Sequence, residues 1–399
     1  MSALRVLHVI PALGPRHGGP SAAVLEMTRA LRHAGVECEM ACTRYNAGNR
    51  YESLWPGGEP GWVHVFDSGL LAGYAYSRPL ARWLEREVAR FDVVHIHSVL
   101  RYTTIAAARY AGAAGVPYVV RPAGALSDFG MSRRRFRKWL YLALIERRML
   151  AGAAAFHATS EVEANSRALR ALHLPTFVIP HGVSLRPALH PGSASGQTIL
   201  FLSRLDRKKG LELMLSALAD VAPRYPELRC IIAGSGDRAY EARLKRTAQR
   251  LGLSDRVRFA GFVSGDAKQA LLDSSDIFVL PSQDENFGLA AAEAMAAGMA
   301  VVLTREVGIS DAAAAARAGL VIERDRAELA IALTALLDDP NLARQCGRNA
   351  RRLMIEQFAW HVVTHKLIDM YEQVREGRRN QATASASAWP APRSRTIQP

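Results

Sequence analysis

The sequence predicts an α/β protein of two similar domains, each a parallel sheet covered by helices on both faces. Three observations predict it. Short apolar runs alternate with helix-period segments along nearly the whole chain, as buried parallel strands require. The series breaks at a Pro/Gly/Ser-rich stretch, residues 189–197, and then starts again. The 399 residues, at roughly 150 per domain, allow two to three such units.

Residues 5–10 read as the first strand and 14–19 as a Gly/Pro loop. A helix follows over 20–34, with Pro20 at its start, Val24, Leu25 and Leu31 as its apolar positions and Gly35 as its stop. Strands are expected at 37–43, 92–96, 117–120, 154–158 and 176–179. The second series runs 198–202, 229–233, 256–260, 277–280, 300–304 and 320–322. The first domain is therefore placed at 1–190 and the second at 191–358, followed by a last helix over 359–375. The tail, 376–399, has little to bury and is expected to be disordered.

Hydrophobic residues make up 49% of the chain and charged residues 22%, enough apolar material for two cores. No run approaches the ~18 apolar residues of a membrane span. Residues 4–10 are too short for a signal peptide's apolar region, so a cytoplasmic location is expected. Cys38, Cys42, Cys230 and Cys346 form no CxxC pair, which argues against a zinc site or a disulfide framework. The net charge of +14 favours acidic partners: nucleotide phosphates, anionic lipid or nucleic acid.

The most informative stretch is 277–302. A strand (IFVLPS) ends in a polar loop (QDENFG), which opens a small-residue helix (LAAAEAMAAG) and leads to a further strand (MAVV). A helix starting at such a point offers free N–H groups and a partial positive charge to an anion. Gly288 lets backbone approach a ligand. Glu285 lies in the loop, and Glu293 lies one to two turns into the helix on the side facing back toward it. The plain alternative is two solvated carboxylates. Against it, Ala290, Ala291, Ala292, Ala294 and Ala296 mark a buried helix, where a carboxylate needs a partner.

Glu285 and Glu293, with seven residues between them, and the surrounding PSQDENFGLAAAEAMAAGMAVV resemble the retaining glycosyltransferases of family four. That family has the GT-B fold, two Rossmann-like domains facing across a cleft, and the resemblance covers roughly residues 4–374. It implies that the last helix returns to the first domain. It implies that Glu285 contacts donor-sugar hydroxyls and Glu293 the ribose hydroxyls. Asn286 and the backbone of Phe287, Gly288 and Leu289 are implied to approach the diphosphate or sugar.

In FLSRLDRKKGLELMLSAL, Arg204 and Lys209 match the family's R-x4-K pattern. A departing diphosphate gathers negative charge. The Arg204 fork and the compact Lys209 charge can neutralise it, and the sequence holds no DxD-type metal triad. The expectation is metal-independent chemistry without a cofactor, on a UDP-, GDP- or ADP-sugar. Arg207 and Lys208 read as solvated.

By the same resemblance Gly234, in IAGSGD, lies near the nucleotide. GFVSGDAK resembles the base-contacting loop, with the backbone of Phe262 or Val263 at the base edge and Lys268 nearby. PALGPRHGGPSAAV resembles the glycine-rich first loop, where Gly18 and Gly19 meet donor phosphates or acceptor. His95 and His97 share one face of a strand end. A metal reading lacks a third ligand, and the resemblance makes the pair structural or cleft-lining. Relatives often carry a histidine near the donor sugar where this chain has Ala123. The backbone of Ala123 and Gly124, or Arg121 and Asp128, is read as its substitute. His181 stands where relatives often have Asn, and Gly308 where they often have a glycine pair.

Residues 131–150 are strongly basic, with Phe136, Trp139, Leu140, Leu144 and Ile145 interleaved. This fits peripheral contact with an anionic membrane and a lipid-linked acceptor, and equally a packed helix with a solvated basic face. The function expected is retaining transfer of a hexose to a saccharide or lipid-linked acceptor in cell-surface polysaccharide or exopolysaccharide synthesis. The rivals are an epimerase-like GT-B enzyme, a basic nucleic-acid-binding protein and a dinucleotide oxidoreductase. The basic residues form no aromatic-laced stripe, and no GxGxxG follows the first strand, which argues against the last two.

Overall fold

The computed structural model describes residues 3–14, 19–44, 55, 58–69, 72–132, 138, 140–185 and 196–387. One sheet contains β1 (Arg5–Ala12), β2 (Glu37–Thr43), β3 (Val63–Phe66), β4 (Val93–His97), β5 (Tyr118–Arg121), β6 (Ala155–Ala158) and β7 (Thr176–Val178). Its order is 3-2-1-4-5-6-7, and its pairings are parallel. The other contains β8 (Thr198–Leu202), β9 (Arg229–Ala233), β10 (Val257–Gly261), β11 (Ile277–Leu280), β12 (Ala300–Thr304) and β13 (Gly319–Ile322), parallel in the order 10-9-8-11-12-13. Two doubly wound parallel sheets are the fold class the strand rhythm predicts.

The strands whose every residue is buried, such as β8, β11 and β12, read as unbroken apolar runs because helices cover both faces. Strand β3 was not among the expected strands. It lies at a sheet edge and three of its four residues are only half-buried, so it carries no sustained apolar signal.

In each sheet the winding reverses beside the first strand, between β1 and β4 and between β8 and β11. Loops leaving the carboxyl ends of such neighbours run apart and open a crevice, where doubly wound proteins bind ligands. The loops after β8 and β11 carry Arg204, Lys209 and Glu285, so the motif residues sit at the switch point of the second sheet.

The chain passes between the domains at two neighbouring places. The Val183 N–H donates to the Phe358 carbonyl at 2.8 Å, and Val183 bridges Ala359. The linker expected at 189–197 falls largely on 186–195, outside the described residues. The helices that position the site are α1 (Gly19–His33), α2 (Tyr102–Ala113), α3 (Glu161–Ala164), α4 (Leu211–Val221), α5 (Leu289–Ala297) and α6 (Trp360–Ser387). Helix α6 packs Val363, Leu367, Met370, Tyr371 and Val374 onto Val6, Met27, Leu31, Val93 and Val119 of the first domain. It also corrects the expected disordered tail, because it continues to Ser387 through a stretch without proline that keeps Arg, Gln and Ala. Residues 388–399 lie outside the described ones.

The loop after β12 clasps the loop after β11. A Cβ on Gly308 would fall 2.1 Å from the Asn286 carbonyl oxygen, so only glycine fits. Gly308→Ala is expected to lower unfolding stability by more than ~2 kcal/mol, since backbone must move to admit the methyl group. Gly112→Ala, in α2 with nothing within 4 Å, is expected to be neutral or slightly stabilising. Urea unfolding of both variants checks the contrast.

Candidate active site

Asp206 caps the short turn Arg207–Lys209 by accepting the Lys208 N–H at 3.1 Å, and Gly210 (φ 73) then releases the chain into α4. This turn buries Lys209, whose side chain is 7% exposed, and aims it at Glu285, with which it forms an ion pair. Glu285 is held by its backbone. Its N–H donates to the Glu306 carbonyl at 3.0 Å, and its carbonyl accepts the Gly308 N–H at 2.9 Å. Burial lowers Lys209 to about 7, with neighbouring Lys208 and Arg204 adding to the effect and Asp206 and Asp284 opposing it. Arg204 is exposed beside it and makes no ion pair among the described residues. These groups lie in the loops after β8 and β11, the second of which runs into α5 at Gly288 (φ 95).

The structure brings Glu285, Lys209 and Arg204 to one place. Glu293 belongs to a second pair along α5, accepting from Lys268 Nζ at 2.8 Å. Phe262 is 57% exposed, while Val263 packs on the core. The Gly234 N–H is taken by the Gly261 carbonyl at 2.6 Å. The Phe287 ring is buried against His181 and Phe358, which leaves only its backbone for a ligand. Leu289 lies 3.6 Å from a Cβ built on Gly19, so the start of α1 faces the start of α5. Gly18 lies outside the described residues.

Four of the expected contact residues have partners within the protein. The Asn286 side-chain nitrogen donates to Thr159 and Glu163 of the first domain. The Gly124 N–H is not free for a sugar, because it donates to Glu163 Oε1 at 2.6 Å. Asp128 is exposed and faces Arg167, accepting its N–H at 3.2 Å. His97 does not line the cleft: it is 2% exposed, stacked on His8 and in contact with Arg121.

His97 belongs to a buried chain of rings that the sequence reading missed in part. Burial lowers His8 and His157 to about 3 and holds His95, His97 and His181 well below the usual range, so each ring is neutral. A neutral ring has one donor and one acceptor nitrogen. His157 Nε2 must donate to the Ile179 carbonyl at 2.8 Å, which fixes the direction of the rest. His95 Nε2 then donates to His157 Nδ1 (3.2 Å), and the Tyr371 hydroxyl donates to His95 Nδ1 (2.7 Å). His8 Nε2 points to the Tyr371 oxygen (3.5 Å), His97 Nε2 donates to His8 Nδ1 (2.8 Å), and Arg121 donates to His97 Nδ1 (3.4 Å). Arg121 also donates to His181 Nε2 at 2.6 Å.

His8 is the third histidine that a metal reading of His95 and His97 lacked, and the ligand nitrogens of the three lie within 4.8 Å of one another. Their ring nitrogens are engaged in the chain, and the Arg121 cation abuts it, so the cluster is built as a closed hydrogen-bond relay. The signal was present in the sequence as a polar residue inside two apolar strands, VLHVI and AFHA. In the basic segment, Leu144 and Ile145 are exposed while Glu146, Met149 and Leu150 are buried. Phe136 and Trp139 lie outside the described residues. Among the described residues no helix is long and apolar enough to cross a membrane.

Known proteins were compared with this arrangement. The family described as glycosyl transferase 4-like domain matches residues 18–182, and the family glycosyl transferases group 1 matches residues 192–353. The GDP-mannose:cellobiosyl-diphosphopolyprenol alpha-mannosyltransferase of Xanthomonas campestris is 27% identical over 95% of this chain and 99% of its own length. The phosphatidyl-myo-inositol mannosyltransferase of Mycolicibacterium smegmatis is 28% identical over 93% of this chain and 94% of its own. Sucrose-phosphate synthase from Thermosynechococcus elongatus superposes with a TM-score of 0.73 at 21% identity, covering 94% of this chain and 100% of that one. Anabaena HepE, solved with UDP-glucose, superposes with a TM-score of 0.71 at 18% identity, covering 93% and 100%.

The relay makes Tyr371 a structural link between α6 and the first sheet. Tyr371→Phe leaves the buried His95 Nδ1 without its donor and is expected to cost about 1–3 kcal/mol in urea unfolding. Nucleotide affinity, measured by calorimetry, is expected to stay unchanged.

Proposed function

The chain belongs to the group 1 glycosyltransferases, and from that premise we propose that it moves a hexose, with retention, from a nucleoside-diphosphate sugar to a lipid-linked saccharide without a metal ion. The observation that carries the reading is the ion pair of buried Lys209 with half-buried Glu285, beside exposed Arg204 at the switch point of the second sheet. Two cations there can receive a diphosphate, and the carboxylate can accept from sugar hydroxyls. The donor-side roles follow: Lys209 and Arg204 on the phosphates, Glu285 on the sugar, Glu293 with Lys268 on the ribose, and Phe262 at the base.

In this mechanism the acceptor hydroxyl oxygen bonds to the anomeric carbon on the face from which the diphosphate departs. The bond from that carbon to the phosphate oxygen breaks, and the hydroxyl proton passes to the departing β-phosphate. Positioning and stabilisation of the leaving group supply the rate. The Xanthomonas relative is named for GDP-mannose and a diphosphopolyprenol-linked acceptor, and the mycobacterial one for a mannosyl transfer to a phosphatidyl-inositol. GDP-mannose therefore comes first in a donor screen, before UDP- and ADP-sugars, with lipid-linked saccharides as acceptors. The exposed Leu144 and Ile145 favour peripheral membrane contact over a packed helix for that segment.

Glu285→Gln and Lys209→Ala are each expected to lower transfer by at least ~100-fold with the fold intact, and EDTA is expected to leave transfer unchanged. Full activity of either variant, or loss on chelation, overturns the assignment. Lys209 also sets a pH dependence. In the empty enzyme it loses its proton as pH rises through about 7, whereas a bound diphosphate favours the charged form. Binding of GDP or UDP at pH 8 is expected to take up protons, and at pH 6 to take up few. Calorimetry in buffers of different ionisation enthalpy reads this directly, and Lys209→Ala is expected to abolish the difference.

A further inference from the structure

Asn286 lies between Glu285 and α5, yet its side chain crosses to the first domain. Its Nδ2 donates to Thr159 Oγ1 at 2.5 Å and to Glu163 Oε2 at 3.0 Å. An amide nitrogen has two hydrogens, so both are committed across the domain boundary. Glu163 is 1% exposed and lies in α3, whose cap Ser160 accepts its N–H at 3.2 Å. In such an S-x-x-E start the glutamate ordinarily turns back to the capping backbone. Here Oε2 accepts the Thr159 N–H at 2.8 Å and the Thr159 hydroxyl at 3.2 Å, while Oε1 accepts the Gly124 N–H at 2.6 Å. One buried carboxylate thus ties together the turn after β5, the end of β6 and the loop after β11.

The turn it holds is left-handed at two successive residues, Ala123 (φ 52) and Gly124 (φ 80). That conformation is disfavoured for a residue with a Cβ and persists where its surroundings enforce it. A Cβ on Gly124 would lie 3.1 Å from the Asn286 Cβ, so the turn and the donor-side loop are in contact. Ser127 Oγ adds a longer hydrogen bond to Asp284 Oδ1, at 3.4 Å. From its other side, Asn286 is pinned by Gly308 under its carbonyl.

We propose that Glu163 is a positioning residue for glycosyl transfer: by holding the 123–124 turn and Asn286 at once, it sets Glu285 in register with the acceptor-side wall of the crevice. It touches no reacting atom and acts through Asn286, the neighbour of Glu285. The kinetic consequence rests on the transfer reading above, whereas the clasp itself does not. Four donor contacts converge on this carboxylate. A glutamine offers one oxygen and must turn its NH2 toward an N–H or hydroxyl on one side, so Glu163→Gln loosens one segment and Glu163→Ala loosens all three.

The test is amide exchange on the full unliganded chain, followed by kinetics. In Glu163→Ala, peptides spanning 122–127 and 284–289, on different domains, are expected to exchange about tenfold faster, with 198–202 unchanged. With the nucleotide sugar the wild type uses, kcat is expected to fall about 10- to 100-fold, Glu163→Gln falling between wild type and Glu163→Ala. The Kd for GDP or UDP is expected to hold within about twofold, because those contacts belong to the second domain. The Glu163→Ala/Asn286→Ala double variant is expected to be no slower than the slower single variant. Faster exchange confined to 122–127 overturns the clasp. Additive losses in kcat, or weaker nucleotide binding at unchanged kcat, overturn the positioning role. A wild type that transfers from no nucleotide sugar overturns the transfer reading and the kinetic role with it, and the exchange result then still decides the clasp.

Discussion

A lysine ammonium held almost out of water organises the crevice. Lys209 is 7% exposed, with Lys208 and Arg204 close enough to disfavour its charge further. A buried cation is tolerated when a counter-charge is fixed against it, and Glu285 provides one from a different loop. The loop after β11 must therefore stay in place, and its supports follow from that need: the exchange of backbone hydrogen bonds with residues 306–308, the bare backbone of Gly308 and the side chain of Asn286 anchored in the other domain. On the proposed reading, a diphosphate entering beside Lys209 would meet a cation that is poorly solvated and already oriented, which is where electrostatic stabilisation is strongest.

The same constraint explains why two doubly wound sheets suit this site. Each sheet opens its crevice where the winding reverses, and the crossings at Val183 and Ala359 sit side by side, so the domains meet near a common axis. Helix α6 then returns to the first domain and drives Tyr371 into the histidine relay. The last helix is thus tied to the underside of the first sheet by a directional hydrogen bond as well as by apolar packing. Directional bonds fix register where apolar contact alone allows sliding.

What the sequence made legible was local. Glu285, Arg204 and Lys209 lie in the loops that leave strand ends and Glu293 in the helix that follows, and spacing along a strand, turn and helix determines where they point. The doubly wound class was equally legible, because buried parallel strands leave unbroken apolar runs. Strand β3 was not, being short, half-buried and at an edge. The histidine relay depends on registers such as His8 opposite His95 and on a tyrosine 363 residues from His8. No periodicity reports such a contact. Glu163 was hidden for a different reason. Ser160 and Glu163 form a helix-start pattern that accounts for the glutamate by itself, so nothing in the local sequence marks its carboxylate as reaching Gly124 and Asn286 as well. The partners of Asn286 and Asp128 were hidden similarly, since a loop residue's side chain follows whichever partner tertiary structure supplies.

The charge of +14 takes on a sharper meaning in this setting. Composition alone left phosphate, lipid and nucleic acid as equal candidates. In the fold, two of the cations stand at the second sheet's switch point, while Arg121 lies buried beneath the opposite wall, lowered to about 10 by burial and held against neutral histidines. Neutral rings solvate a guanidinium without cancelling its charge. Its principal acidic influence is Glu163, the residue that holds the turn above it and the donor-side loop together. The buried cation of β5 and the clasp that ties the two walls together therefore meet at Glu163 on α3.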